Sequence, residues 1–350
     1  MAPAKPVDVS AMQVITYIAA GGPGHHDDHE RLFRAVAEEI GASLRVVPRF
    51  SRITQRHGIW FYSVFDSTTF ETIGAMVSAT VRSLFGQKTV GLVFRPGDCF
   101  IRGSFKASVR RVLFRFVSRL RNVHLLLIIP FPVTPAFSSV ATNWIYDPQL
   151  WDLPYLGLPD DQNVGPLRAQ ITALADKRRI VVALGALSPE KGFNFMVDLW
   201  LSSAQLRASH LFVAAGWVWN ESKEAARRFQ EAGGFLIARH IDDAAMFGLY
   251  GIADLLWACY APDRDRSSGI HGRAVQFGVP VLTRKGSFLE AFGESVAFPT
   301  LALPFEASDE AISLLLNWNP RRVDRQDTAS LVRRMRDHSV SVLADALQVK

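Results

Sequence analysis

The densest run of potential chemistry is the polar loop Asp263, Arg264, Asp265, Arg266, Ser267, Ser268 and Gly269. It follows an apolar run at 255–259 and precedes a short helical stretch at about 269–277. Two hydroxyls and a glycine at a helix N-terminus suit an anion, because free N–H groups and the helix dipole both favour a phosphate there. The plainer alternative is a capped helix with Ser267 or Ser268 as N-cap. A second candidate is the turn Gly21, Gly22, Pro23, Gly24, where a ligand can approach the backbone closely. Its spacing is not the dinucleotide fingerprint, and no acidic residue ends the strand after it. His25, His26 and His29 stand beside Asp27, Asp28 and Glu30. Acids on the positive end of a helix account for this cluster better than a metal does, so no metal site is assigned.

These residues need a frame, and the hydrophobic pattern supplies one. Apolar runs at 14–20, 44–47, 90–94 and 123–130 read as strands, with helical spacing after 25, over 70–85 and over 104–121. The stretch 59–70 is aromatic, and 134–166 has no clear period and reads as a long loop. Strands are expected again at 179–184, 211–215, 235–238, 255–259, 279–283 and 296–298. Helices are expected at 194–201, 221–231, 243–250, 312–316 and from 328 to about 347. Such alternation implies parallel, doubly wound sheets, which bind ligands at the carboxyl ends of their strands.

The chain has 350 residues, room for two α/β units. Hydrophobic residues make up 49% and charged ones 21%, a globular composition. Cys99 and Cys259, the only cysteines, give neither a disulfide framework nor a metal motif and suit a reducing cytoplasm. No apolar run reaches the ~20 residues of a membrane span. The first 12 residues lack a signal-peptide core and read as a disordered lead-in. The net charge of +6 points to anionic partners.

The second half carries four segments in order: ALGALSPEKGFNFMVDLW, LFVAAGW, HIDDAAMFGLYGIADLLWACY and RSSGIHGRAVQFGVPVLTRKG. Together they resemble the donor-binding half of GT-B glycosyltransferases, particularly family 4 and its relatives. The resemblance implies two Rossmann-like domains facing across a cleft. Their expected spans are 13–168 for the acceptor side and 169–325 for the nucleotide-sugar side, with a terminal helix at 326–350 crossing back to the first. It implies transfer of a sugar from a UDP- or GDP-sugar to a glycan or lipid-linked acceptor, with retention and without a cofactor or required metal. Lys191 falls on the family's phosphate-contacting lysine, and Gly185 opens that motif; the usual arginine is Ala186. The family's paired glutamates fall on Asp265 and Arg273. Asp265 would contact the donor sugar. Arg273 cannot accept the ribose hydroxyls' hydrogen bonds, but it can reach the diphosphate and restore the charge missing at Ala186. Ser267, Ser268 and Gly269 would complete the phosphate site, with base contacts from Arg239, His240 and Ile241 and a further donor contact from Gly21 and Gly22. A second implication is a binding or scaffold protein that kept the fold and lost turnover.

One stretch lies outside that resemblance. From Lys88 to Arg121 nine basic residues face a single acid, Asp98. Phe105, Val109, Val112, Leu113, Phe116, Val117 and Leu120 form an apolar stripe at helical spacing through it. Either the stripe packs on the core beneath a basic solvent face, or Arg102, Lys106, Arg110, Arg111 and Arg115 meet an anionic membrane surface. The second reading makes the protein peripheral at the inner face of the membrane. No nucleic-acid module accompanies the basic residues, so nucleic acid is not assigned as a partner.

Overall fold

The computed structural model describes residues 13–19, 26–48, 58–158 and 165–347. Gly21 and Gly22 therefore lie outside the described residues, as does the expected lead-in. The chain divides into two compact units. One holds the described residues up to Pro148, with Pro154–Leu156 and those from Met335 on; the other holds Gln149–Leu153 and the described residues of Gly157–Arg334.

The first unit is built on six strands: β1 (Gln13–Ala19), β2 (Ala42–Pro48), β3 (Ile59–Tyr62), β4 (Thr89–Val93), β5 (Val123–Leu127) and β6 (Asn143–Trp144). They pair in the order β2-β1-β3-β4-β5-β6, every pair parallel. β4 is buried along its whole length, as a run covered on both faces requires. The crossovers β3 to β4 and β4 to β5 step the same way along the sheet. Right-handed connections therefore put their helices, Thr69–Leu84 and Phe105–Val117, side by side on one face. The helix His26–Glu39, stepping back from β1 to β2, covers the other. Thr68 and Glu71 form a capping box at the start of the first of these helices, and Ser104 accepts from Ala107 N at 3.2 Å at the start of the second. The core on their side is built from Phe65, Val93, Phe114, Leu125 and Leu127.

The second unit repeats the plan with β7 (Arg179–Leu184), β8 (His210–Ala215), β9 (Phe235–Ile237), β10 (Leu255–Ala258), β11 (Val281–Arg284) and β12 (Thr300–Leu303). Their order is β12-β11-β10-β7-β8-β9, again all parallel. Trp200, Phe212, Phe229 and Trp257 fill its core. Two departures from the expected elements have local causes. No strand forms at 296–298: the helix Phe288–Ser295 closes at Val296, Ala297 takes a positive φ of 53°, and the strand begins at Thr300. The expected loop at 134–166 contains β6 and a well-packed segment whose Trp151 is fully buried.

Candidate functional site

In the second unit the strand order runs one way from β7 through β8 to β9 and the other way from β10 through β11 to β12. The crossovers diverge between β7 and β10, so a crevice opens at the carboxyl ends of those two neighbours. The loops that flank it are 185–192, after β7, and 259–268, after β10. They are tied to each other: Ala261 N donates to the Glu190 carbonyl at 3.0 Å, and Arg264 reaches the Glu190 carboxylate at 2.7 Å.

Gly192 makes this close approach possible. It sits at φ 70°, and a Cβ there would run into the Cys259 carbonyl. The indole of Trp257 donates to the Gly192 carbonyl at 3.2 Å and fixes the loop from below. Lys191 is thereby held over the ring of Tyr260, with Nζ 4.3 Å from the centroid. Among the described residues no carboxylate pairs with Lys191. The Tyr260 hydroxyl lies 2.6 Å from Ser268 Oγ. Ser268 occupies the N-cap position of the helix Gly269–Gln276, yet its side chain caps no backbone N–H there. The hydroxyl is turned to Tyr260 instead of to the helix, a correction to the capping expectation. A lysine, two hydroxyls and a helix N-terminus therefore converge through Tyr260. Ser267 is half-buried beside them, and Gly185, at φ 88°, closes the far side of the first loop.

The two positions matched to the family's glutamates are both engaged. Asp265 accepts from Phe288 N at 2.7 Å and lies 3.4 Å from Arg284, so it sits at the positive end of the next helix. Arg273 is buried, and its guanidinium is bonded to Asp152. Asp152 also accepts from Gln276 Nε2 at 2.8 Å. Gln149 packs so closely on the same helix face that any side chain at Gly269 or Gly272 would strike it. The expected open cation at Arg273 is thus an internal ion pair, because the segment Gln149–Leu153 covers the helix face that carries it. On the other flank His240 is exposed after β9, and Ile241 lines a cavity of about 320 Å³ with Leu167, Phe235, Ile237 and Arg239.

Residues that pattern reading passed over complete the site. Arg284 donates to the Tyr260 carbonyl at 3.0 Å as well as approaching Asp265. Its signal is a cation closing an apolar strand, PVLTRKG. Tyr260 had the same kind of signal, a hydroxyl at a strand's carboxyl end. Asp152 and Gln149 had none, being more than a hundred residues away in an aperiodic stretch.

In the first unit the basic residues divide. Arg102 and Lys106 are exposed, and Arg111 and Arg115 half-buried. Arg110 points inward, 3.4 Å from Asp66 and 3.5 Å from Asp98, and so leaves the expected outer set. Asp66 is fully buried and accepts from Phe94 N at 2.8 Å and Arg95 N at 2.7 Å. Burial pushes its carboxyl up, against the pull of those two N–H groups and Arg110. His29 is buried with its ring stacked on Phe94. Among the described residues no three His, Cys, Asp or Glu side chains come together as metal ligands.

No protein-family model and no curated protein sequence matches this chain. Its structure is similar to that of HepE from Anabaena, solved with UDP and glucose: TM-score 0.53, 15% identity, 94% of this chain and 95% of that one. It is similar to WaaG, a glycosyltransferase involved in lipopolysaccharide biosynthesis: TM-score 0.54, 14% identity, 93% and 95% covered. It is also similar to the catalytic domain of starch synthase IV from Arabidopsis thaliana, bound to ADP and acarbose: TM-score 0.59, 11% identity, 96% and 99% covered. The chain has the GT-B fold, two Rossmann-like α/β units each built on a parallel six-stranded sheet.

Proposed function

We propose that the protein is a glycosyltransferase of the family 4 type, moving a sugar from a UDP- or GDP-sugar to a glycan or lipid-linked acceptor. One observation carries the reading: Lys191 and the N-terminus of the Gly269–Gln276 helix converge, through Tyr260, at the switch point of the second sheet. A diphosphate bound there meets a cation, hydroxyls and free backbone N–H groups, and the same groups stabilise it as it leaves. The nucleotides bound by HepE and starch synthase IV support the same ligand class for this site. In this reading Asp265 faces the donor sugar after exchanging its hold on Phe288 N, His240 and Ile241 flank the base, and Gly185 gives the ribose room. Configuration is retained, and the enzyme works in the cytoplasm at an anionic membrane surface. A thermal-shift screen of nucleotides and nucleotide sugars tests it. A ligand at 100 times its dissociation constant stabilises by about 2.7 kcal/mol. No shift with any nucleotide at millimolar levels overturns the proposal.

A second reading is favoured by Arg273, which stands where the family holds the ribose and is consumed by Asp152. It is a nucleotide-sugar-binding protein without turnover. Donor binding with neither transfer nor hydrolysis, across plausible acceptors, selects it. Turnover that disappears in Lys191→Ala eliminates it.

A further inference from the structure

The two helices side by side on the first sheet bury one face each and leave a row of large apolar residues outside. Thr69–Leu84 buries Ala75, Met76 and Ala79. It exposes Phe70, Ile73, Val77, Val81 and Leu84, at helical spacing and between 47% and 81% exposed. Both of its charged residues are used elsewhere. Glu71 closes the capping box, and Arg82 is buried over Trp60 and bonded to the Gly58 and Lys88 carbonyls. The outer face of this helix therefore carries no charge. Its neighbour Phe105–Val117 exposes Phe105, Val109, Val112 and Phe116, the first at 82%. Twelve of the seventeen large apolar side chains that stand exposed among the described residues lie between Phe70 and Phe116. A monomer in water rarely leaves an apolar face of this extent uncovered.

The charge around the face selects what covers it. Arg102, Lys106 and Arg119 are exposed at its edge, with Arg111 and Arg115 half-exposed. Asp98, the one acid between Lys88 and Arg121, is engaged by Arg110. A second copy docked by the same face would bring this cationic rim against itself. An anionic bilayer meets both halves of the pattern, headgroups on the rim and acyl chains on the apolar side chains. No described helix is long and apolar enough to cross a membrane. We propose that the paired outer faces of Thr69–Leu84 and Phe105–Val117 insert into the interfacial region of an anionic bilayer, both helices lying in its plane. The inference deepens the membrane part of the reading above and rests on it. It adds a helix with no basic residue on its outer face, and a mode of attachment that charge alone does not provide.

Co-sedimentation of the full chain with phosphatidylcholine vesicles, with and without about one third phosphatidylglycerol, tests it. The wild type is expected to bind the anionic vesicles and to keep part of that binding at about 0.5 M salt, where electrostatic attraction is screened. Val77→Asp with Val112→Asp should weaken binding roughly tenfold or more. Both sites are exposed, so the melting temperature reports that the variant still folds. A Phe105→Trp variant should shift its emission to the blue on binding and be quenched by brominated lipid. Binding lost entirely at high salt, or unchanged in the double aspartate variant, overturns insertion. A wild type that ignores vesicles but dimerises, with the dimer abolished by the same substitutions, assigns the face to a second copy. Nucleotide thermal shifts on the same samples separate this outcome from failure of the transferase reading.

Discussion

The helices Thr69–Leu84 and Lys223–Glu231 do the same structural job, each covering one face of a parallel sheet. Both bury alanines, Ala75 and Ala79 in one and Ala225 and Ala226 in the other. Their outer faces differ. On Lys223–Glu231, Arg227 bonds Glu224 at 2.6 Å and Glu231 at 2.6 Å, side chains that water solvates well. On Thr69–Leu84 the same positions carry phenylalanine, isoleucine, valine and leucine. One architecture thus spends its residues in two ways. The second unit puts charge outside, in its switch-point loops and in one buried ion pair. On the face of Thr69–Leu84 the first unit keeps its charge inside or at the rim and presents an apolar surface, whereas its helix His26–Glu39 carries the exposed pair Arg31–Asp28. That contrast holds only if the second unit's buried polar groups are structural, and this can be broken experimentally.

The largest effect is expected at Asp152 and Arg273. Asp152→Ala strands a guanidinium that is almost wholly buried, and should cost about 3–5 kcal/mol of unfolding free energy in denaturant titrations. Asp152→Leu combined with Arg273→Met should recover most of the loss, since an apolar pair of similar volume removes the unpaired charge. If Asp152→Ala is harmless, Arg273 has another partner and is free to turn toward a ligand.

Acid should test the buried histidines next. Burial pulls His271 down to about 4, and burial together with Arg179 does the same to His210; both belong to the second unit. Their folded values lie below the ordinary 6.5. Between about pH 6.5 and 4 the unfolded chain therefore takes up protons that the native state refuses. Stability falls as pH falls, by up to about 3 kcal/mol for each histidine. Melting followed at pH 7 and pH 4.5 should show a steep loss, and His271→Gln should flatten it. An unchanged slope in that variant would place the acid sensitivity elsewhere.

Much of this was legible in the sequence. Apolar runs bounded by glycine and proline located most of the strands in both units, because fully buried parallel strands read as continuous hydrophobic stretches. The loops of the candidate site were legible where the pattern is local, around Lys191 and Ser267 to Gly269. It was not legible where a partner comes from far away: nothing in an aperiodic segment announces that Asp152 covers Arg273. Helical periodicity located the stripe from Phe105 to Leu120 but not which of its members face out: Val117 is buried and Leu120 packs on the core, while Phe105, Val109, Val112 and Phe116 are exposed. The inward face is set by Ala107, Phe114 and Val117, and Phe114 stands outside the stripe that the spacing picked out. The strand expected at 296–298 was displaced because three apolar residues do not distinguish a helix end from a strand start.

Gly192→Ala sharpens the site side of the comparison. The left-handed backbone and the Cys259 carbonyl leave no room for a methyl, so the loop must shift at a cost of about 1–3 kcal/mol. Lys191 moves with it. Thermal shift by a nucleotide sugar should be lost beyond what the lower stability explains. A variant that still responds as the wild type does would detach Lys191 from the proposed donor site.

The smallest effect should come from the outer faces, and there the smallness is informative. Val77 is 58% exposed, so Val77→Lys should leave unfolding free energy within about 0.5 kcal/mol of the wild type. On the second unit Arg227→Ala removes two exposed ion pairs, and the melting temperature should stay within measurement error. The two substitutions are equivalent for folding in water and should differ only toward a surface. Val77→Lys places a charge where the apolar face would enter acyl chains and should weaken binding to anionic vesicles despite adding a positive charge. Arg227→Ala should leave binding unchanged. If Val77→Lys instead strengthens vesicle binding, the attraction is electrostatic, the face lies clear of the acyl region, and the difference between the two units' outer helices has another cause.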